Sequence, residues 1–168
     1  MLHIVLHKPE MPANVGNIIR TAAALNAKLH IIGPLTFTLD NKSLKRAGLD
    51  YIDPHMLFYY ESLAKFMANH QDAFIVYVTR YSSQNYTTFD YGRFDKPIFC
   101  MFGSESYGIP RDVLSENKKT SVRIPMAADA RSLNLSNAVA VVSYEIMRQQ
   151  DFYNLATSEV IKGDDFLE

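Results

Sequence analysis

Short apolar runs of strand length, with helical periodicity between them, constrain this chain most. Residues 2–6, 29–32, 73–79 and 97–102 are rich in Ile, Leu, Val and Phe, and turn residues bound them. Between the first two runs, Val15, Ile18, Ile19 and Ala22 recur at helical spacing. Strand, helix and strand thus follow within about thirty residues, the span of a parallel crossover unit. Asn14 is expected to cap this helix, and Arg20 falls off its apolar stripe. The same reading predicts a short helix over 41–49, a strand at 56–60, a weak helix over 62–67 and a loop from 80 to 95. A helical turn at 110–114 and a last strand at 121–124 follow. From Asn134 to about Gln150, Leu135, Ala138, Val139, Val142 and Ile146 mark an amphipathic helix. No linker or repeat divides this alternation, which describes one α/β domain, a mostly parallel sheet flanked by helices. The domain is expected over residues 1–152, with a mixed, acidic tail at 153–168.

With 168 residues the chain can bury roughly two-thirds of the surface its unfolded form exposes. Hydrophobic residues at 48% and charged residues at 21% exclude a disordered chain. A single cysteine, Cys100, excludes an internal disulfide or a cysteine-based zinc site, and the five histidines lack a metal-ligand spacing, so no metal is expected. The first residues lack the basic start of a secretory signal, and no apolar run approaches the ~20 residues of a membrane span. A cytoplasmic setting without a membrane partner is the expectation. The net charge of -1 does not advertise nucleic-acid binding, so any RNA contact must be local.

Two loops carry the chemistry. In IPMAADARSLNLSNAVAVVSYEIMRQ, residues 124–149, a strand passes through a Ser/Asn loop into an Ala- and Val-rich helix, a junction suited to a small adenosine-bearing ligand. In CMFGSESYGIP, residues 100–110, an apolar strand leads into a glycine, a carboxylate and a second glycine. Gly103 and Gly108 have the spacing of a phosphate-binding loop, but Ile109 stands where that motif needs lysine. No GxGxxG follows the first strand, which argues against a dinucleotide cofactor.

NVGNIIR, FGSESYGIP and IPMAADARSLNLSNAVAVVSYE, in this order, resemble the three signature motifs of the SPOUT superfamily of RNA methyltransferases. The likeness is closest to the minimal, single-domain TrmL or YibK-like group, which 2′-O-methylates the tRNA wobble nucleotide, and it extends to about Phe152. The resemblance implies a deep trefoil knot near the C-terminus, where the helix and strand pattern alone implies an ordinary open sheet. It also implies S-adenosylmethionine as methyl donor, the anticodon stem-loop of tRNA as substrate, with cytidine or uridine at the wobble position, and a homodimer.

By resemblance, Val78, Gly103, Ile124, Met126, Ser132 and Leu133 hold the cofactor. Arg20 matches the catalytic arginine of the first motif. Because arginine stays protonated, its part is to position the ribose and stabilise the developing alkoxide. Glu105, Asn134 and Tyr144 complete the catalytic set, with Glu105 and Asn134 tying loops together or touching substrate. Asn14, Arg46, Arg80 and Arg131 are assigned to the substrate, with Lys8, Lys42 and Lys45 as further basic positions. Ser136 and Asn137 fall in the first turn of the last helix, where capping explains them. The chain departs from the family pattern at Tyr107, where relatives carry arginine, and at Arg80-Tyr81, which replaces a threonine-lysine pair.

Three other readings stand beside this one. They are a 2′-O-methyltransferase acting on another tRNA position or on ribosomal RNA, a catalytically silent RNA-binding knot protein, and an α/β protein binding another adenine-containing metabolite. Retention of Arg20, Glu105 and Asn134 weighs against a silent binder.

Overall fold

A computed structural model describes residues 1–38, 53–92 and 96–161. Six strands, β1 (Leu2–His7), β2 (Lys28–Ile32), β3 (Leu57–Tyr60), β4 (Phe74–Val78), β5 (Ile98–Phe102) and β6 (Ser121–Val122), form one parallel sheet in the order β3-β2-β1-β5-β4-β6. The chain builds outward from β1 on one side, then returns to build the other half. That reversal leaves a crevice at the carboxyl ends of the strands beside β1 and β5, the place where open α/β sheets bind ligands.

Both faces of the sheet are covered, which is why β1 and β5 are buried along their whole length. One face, carrying Leu2, Ile4 and Leu6 of β1 and Cys100 and Phe102 of β5, packs against α1 (Pro12–Ala24) and α4 (Leu135–Gln149). The predicted stripe of α1, Val15, Ile18, Ile19 and Ala22, is fully buried there. Val139, Val142 and Ile146 of α4 meet it, so the α4 stripe is core. Cys100 lies inside this layer, and burial pushes its thiol pKa up, away from reactivity. The other face, with Val5, Phe99 and Met101, packs against Phe66 of α2 (Leu63–Asn69), with α3 (Arg111–Glu116) beside it through Val113 and Leu114.

Three histidines far apart in sequence gather on this second face. His3 Nδ1 lies 2.8 Å from His30 Nε2, His30 Nδ1 lies 3.1 Å from the Tyr60 hydroxyl, and that hydroxyl lies 2.9 Å from His70 Nε2. Phe58, Phe66 and Phe99 surround them. Desolvation, followed by the Lys28 charge for His3 and by the neighbouring His3 for His30, lowers their pKa values to about 4 and about 3. Neutral imidazoles fit the chain of contacts, because each then donates at one nitrogen and accepts at the other.

Several local expectations need correction. The first helix begins at Pro12 with Met11 as its cap residue, so Asn14 lies inside the first turn rather than capping it. Proline at the first helical position explains the earlier start, since its missing N–H would have had no helical partner. β6 is only Ser121–Val122, and Ile124 continues beyond it. Tyr144, assigned above to the catalytic set, is 49% exposed. The helix expected over 41–49, with Lys42, Lys45 and Arg46, lies outside the described residues.

Candidate functional site

The carboxyl ends of β4 and β5 and the segment after β6 open onto a cleft of about 540 Å3. That volume lies in the range of small-molecule sites. Val78 ends β4, Gly103 follows β5, Ile124 and Met126 follow β6, and Ser132 and Leu133 enter α4; all six line the cleft. Met11 and Asn14 at the start of α1 line it as well. The lining is thus apolar side chain interleaved with loop backbone, the combination that can enclose a flat heterocycle and read its polar edge.

The loop after β5 is closed on itself. Ser104 and Gly108 exchange backbone hydrogen bonds at 3.3 and 2.9 Å. A Cβ on Gly103 would lie 2.0 Å from the Gly108 carbonyl carbon, and Gly108 has a φ of +71°, so each glycine answers a different demand. The first permits two stretches of backbone to touch, and the second turns the chain.

A polar clasp fastens this loop to the others. Glu105 Oε2 accepts the Glu10 N–H at 2.8 Å, and Oε1 accepts the Met11 N–H at 3.2 Å and the Asn14 side-chain amide at 2.7 Å. Met11 has no side chain able to cap α1, so a carboxylate more than ninety residues away serves its N-terminus. Glu10 reciprocates by accepting from the Ser106 hydroxyl at 2.6 Å and the Ser106 N–H at 3.2 Å. The Ser106 hydrogen bonds hold the Glu10 carboxyl below its usual pKa. The Asn134 amide donates to Asn14 Oδ1 at 2.9 Å, while Asn134 Oδ1 caps α4 by accepting from the Ser136 N–H and hydroxyl. Asn14, Glu105 and Asn134, one from each of the three motifs, form a single network at the cleft.

Arg80 also lines the cleft. Arg20, Arg131 and Tyr144 do not. Arg20 lies on the exposed face of α1 beside a separate depression that includes Asp53 and Met56. Arg131 is exposed next to the lining residue Ser132, and Arg46 lies outside the described residues. Among the described residues no group of His, Cys, Asp and Glu could hold a metal ion. No described helix is long and apolar enough to cross a membrane.

Glu10 escapes a reading of the sequence. The available signal was a helix opening on Met11-Pro12, neither able to cap it, directly after an acidic residue.

A family model described as the SpoU rRNA Methylase family matches residues 1–144. The chain is 46% identical to a Geobacillus stearothermophilus protein, over 92% of this chain and 99% of that one. It is 40% identical to an Escherichia coli K12 protein named tRNA (cytidine(34)-2'-O)-methyltransferase, over 89% of this chain and 94% of the other. A structure solved for insight into the 2-OH methylation of C/U34 on tRNA superposes with a TM-score of 0.77 at 42% identity, covering 89% of this chain and 95% of that one. The SpoU methyltransferase AviRb from Streptomyces viridochromogenes, in complex with the cofactor AdoMet, superposes at 0.72 with 27% identity, over 89% of this chain and 60% of AviRb. The cleft at the sheet's switch point and the three-motif clasp thus sit in a chain that belongs to the SpoU rRNA Methylase family.

Proposed function

We propose that the protein transfers the methyl group of S-adenosylmethionine to the ribose 2′-hydroxyl of the wobble cytidine or uridine of tRNA. The observation that carries this reading is the cleft itself. Its six expected cofactor residues converge from three strand ends, and the clasp fixes their loops before any ligand arrives. Relatives named or described for methylation at position 34 supply the substrate class.

When bound, S-adenosylmethionine supplies an electrophilic methyl on a sulfonium. Val78, Ile124, Met126 and Leu133, which line the cleft, would enclose the adenosine, and backbone groups around Gly103 and Ser132 would read its edge. Glu105 and Asn134 keep the loops in register through Asn14. Arg20 stands on the solvent face of α1, from which a guanidinium meets an RNA phosphate or the cleft of a second copy. There it aligns the 2′-oxygen and favours its developing negative charge.

The working unit in this reading is a cytoplasmic homodimer. Half-exposed Tyr144 and Val141 on the outer face of α4 supply apolar surface for a partner. The reading also includes a C-terminal knot within one domain of residues 1–152. Supporting it, the loop between β4 and β5 grips both ends of the last segment. Gln84 and Tyr86 exchange backbone bonds with Arg123, and the Gln149 amide donates to the Phe89 carbonyl at 3.0 Å.

Transfer of radiolabelled methyl from S-adenosylmethionine to bulk tRNA, followed by nucleoside mapping, tests the function. Label in a 2′-O-methylated wobble nucleotide is expected. Label at another tRNA position or in ribosomal RNA would replace the substrate, and no label despite cofactor binding would leave a silent binder. Light scattering giving 19.1 kDa at micromolar concentration would remove the dimer.

A further inference from the structure

Two of the most exposed aromatic side chains stand together on the rim of the cleft. Tyr107 is 91% exposed and Tyr81 is 82% exposed, and each borders both the cofactor cleft and a second depression of about 780 Å3 beside it. That depression also presents Arg111 and Lys118 and contains no Asp or Glu among its lining residues. A chain with a net charge of -1 therefore places a purely cationic, hydroxyl-rich groove next to its cleft. Neither cation has an ion-pair partner among the described residues.

The tyrosines project from anchored backbone. The Tyr107 N–H donates to Ser104 Oγ at 3.1 Å inside the closed loop after β5, and the Tyr81 N–H donates to Thr79 Oγ1 at 3.3 Å. Neither hydroxyl makes a hydrogen bond among the described residues, so folding leaves both rings uncommitted. Exposed rings are costly to hydrate, and a ring with only two side-chain torsions loses little freedom when something stacks on it. Nucleobases recognised out of a helix stack on such rings, while nearby cations hold the phosphates.

We infer that Tyr107 and Tyr81 form a stacking platform for the nucleobase flanking the methylated nucleotide, with Arg111 and Lys118 holding the adjoining phosphates. This rests on the methyltransferase reading above and adds to it the residues that seat the RNA strand. The platform reads no hydrogen-bonding edge, so it holds the strand splayed while the cleft takes the ribose.

The test uses the full-length protein and an anticodon stem-loop that the wild type methylates. Tyr107→Ala is expected to raise the KM for this RNA about fivefold to a hundredfold, the range for loss of one base–aromatic stack. Tyr107→Phe keeps the wild-type value, because stacking needs the ring and not the hydroxyl. Affinity for S-adenosylmethionine, measured by calorimetry, stays unchanged in both. Arg111→Ala and Lys118→Ala each lower the slope of log affinity against log salt by about one, whereas Tyr107→Ala leaves it unchanged. A fluorescent 2-aminopurine beside the target nucleotide is quenched by the wild type and not by the Tyr81→Ala, Tyr107→Ala double variant. Wild-type KM in the alanine variants, a Phe variant as impaired as Ala, or a parallel loss of cofactor affinity or of dimer would overturn the platform. Failure of the wild type to methylate any tRNA would instead overturn the functional reading, a result visible before any variant is made.

Discussion

Acidification should destabilise this protein through His3 and His30, above the pH at which carboxylates protonate. In the unfolded chain each imidazole takes up a proton near pH 6.5, whereas the folded values are about 4 and about 3. The unfolded state therefore binds more protons throughout that interval, and stability falls as pH drops through 6.5 until the folded groups titrate. Lowering the pH from about 7.5 to about 5 then takes about 2 kcal/mol from each histidine, about 4 kcal/mol together. Typical domains have about 5–15 kcal/mol in total. Lys28 and the N-terminal amine face His3, and His70 faces both, so each repels an incoming proton and none rescues the charged form. His70 is itself shifted downward by burial and adds to the loss. Urea titrations at fixed protein concentration should show the midpoint moving by about 2 M, taking a slope near 2 kcal/mol/M. His3→Phe, whose ring would lie beside Phe99, should remove the His3 share of that loss, about 2 kcal/mol. Equal midpoints at the two pH values, or a His3→Phe slope matching wild type, would refute the assignment.

Three further perturbations probe the cleft. Gly103→Ala forces a methyl into the Gly108 backbone and should cost about 1–3 kcal/mol by overpacking, with a weaker S-adenosylmethionine affinity, both readable by thermal melts with and without cofactor. Asn14→Ala leaves the Asn134 amide without its acceptor and Glu105 short of a donor, and chemical denaturation should register a loss of about 1–3 kcal/mol. Arg20→Ala should preserve cofactor affinity yet slow methyl transfer at least ~10²-fold, and unchanged turnover would remove Arg20 from the reaction.

The strands were legible because each is a compact apolar run, and the apolar stripes of α1 and α4 because their spacing is local. The cleft residues were legible through motif resemblance, not through periodicity. What periodicity could not carry is anything set by partners distant in sequence. The order of strands is one example, since β1 pairs with β5 rather than with the next strand on that side. Asn14 looked like a cap because its residue type favours caps, yet its side chain is spent on Glu105 and Asn134, which lie 91 and 120 residues away. The five histidines looked scattered for the same reason: 27 residues separate His3 from His30. Conversely, β6 shrank to two residues because an apolar run supports a strand only as far as a neighbour, here β4, pairs with it.

The clasp at the cleft also sets a timetable for biosynthesis. Glu10 leaves the ribosome early, its partner Ser106 and the capping Glu105 follow nearly a hundred residues later, and Asn134 later still. At synthesis rates of about 5–20 residues per second, roughly 6–25 s separate Glu10 from Asn134. Until Glu105 is made α1 has no cap, and until Asn134 is made the cleft has no far wall. A nascent or prematurely terminated chain thus cannot sequester cofactor, and only a finished protein competes for it.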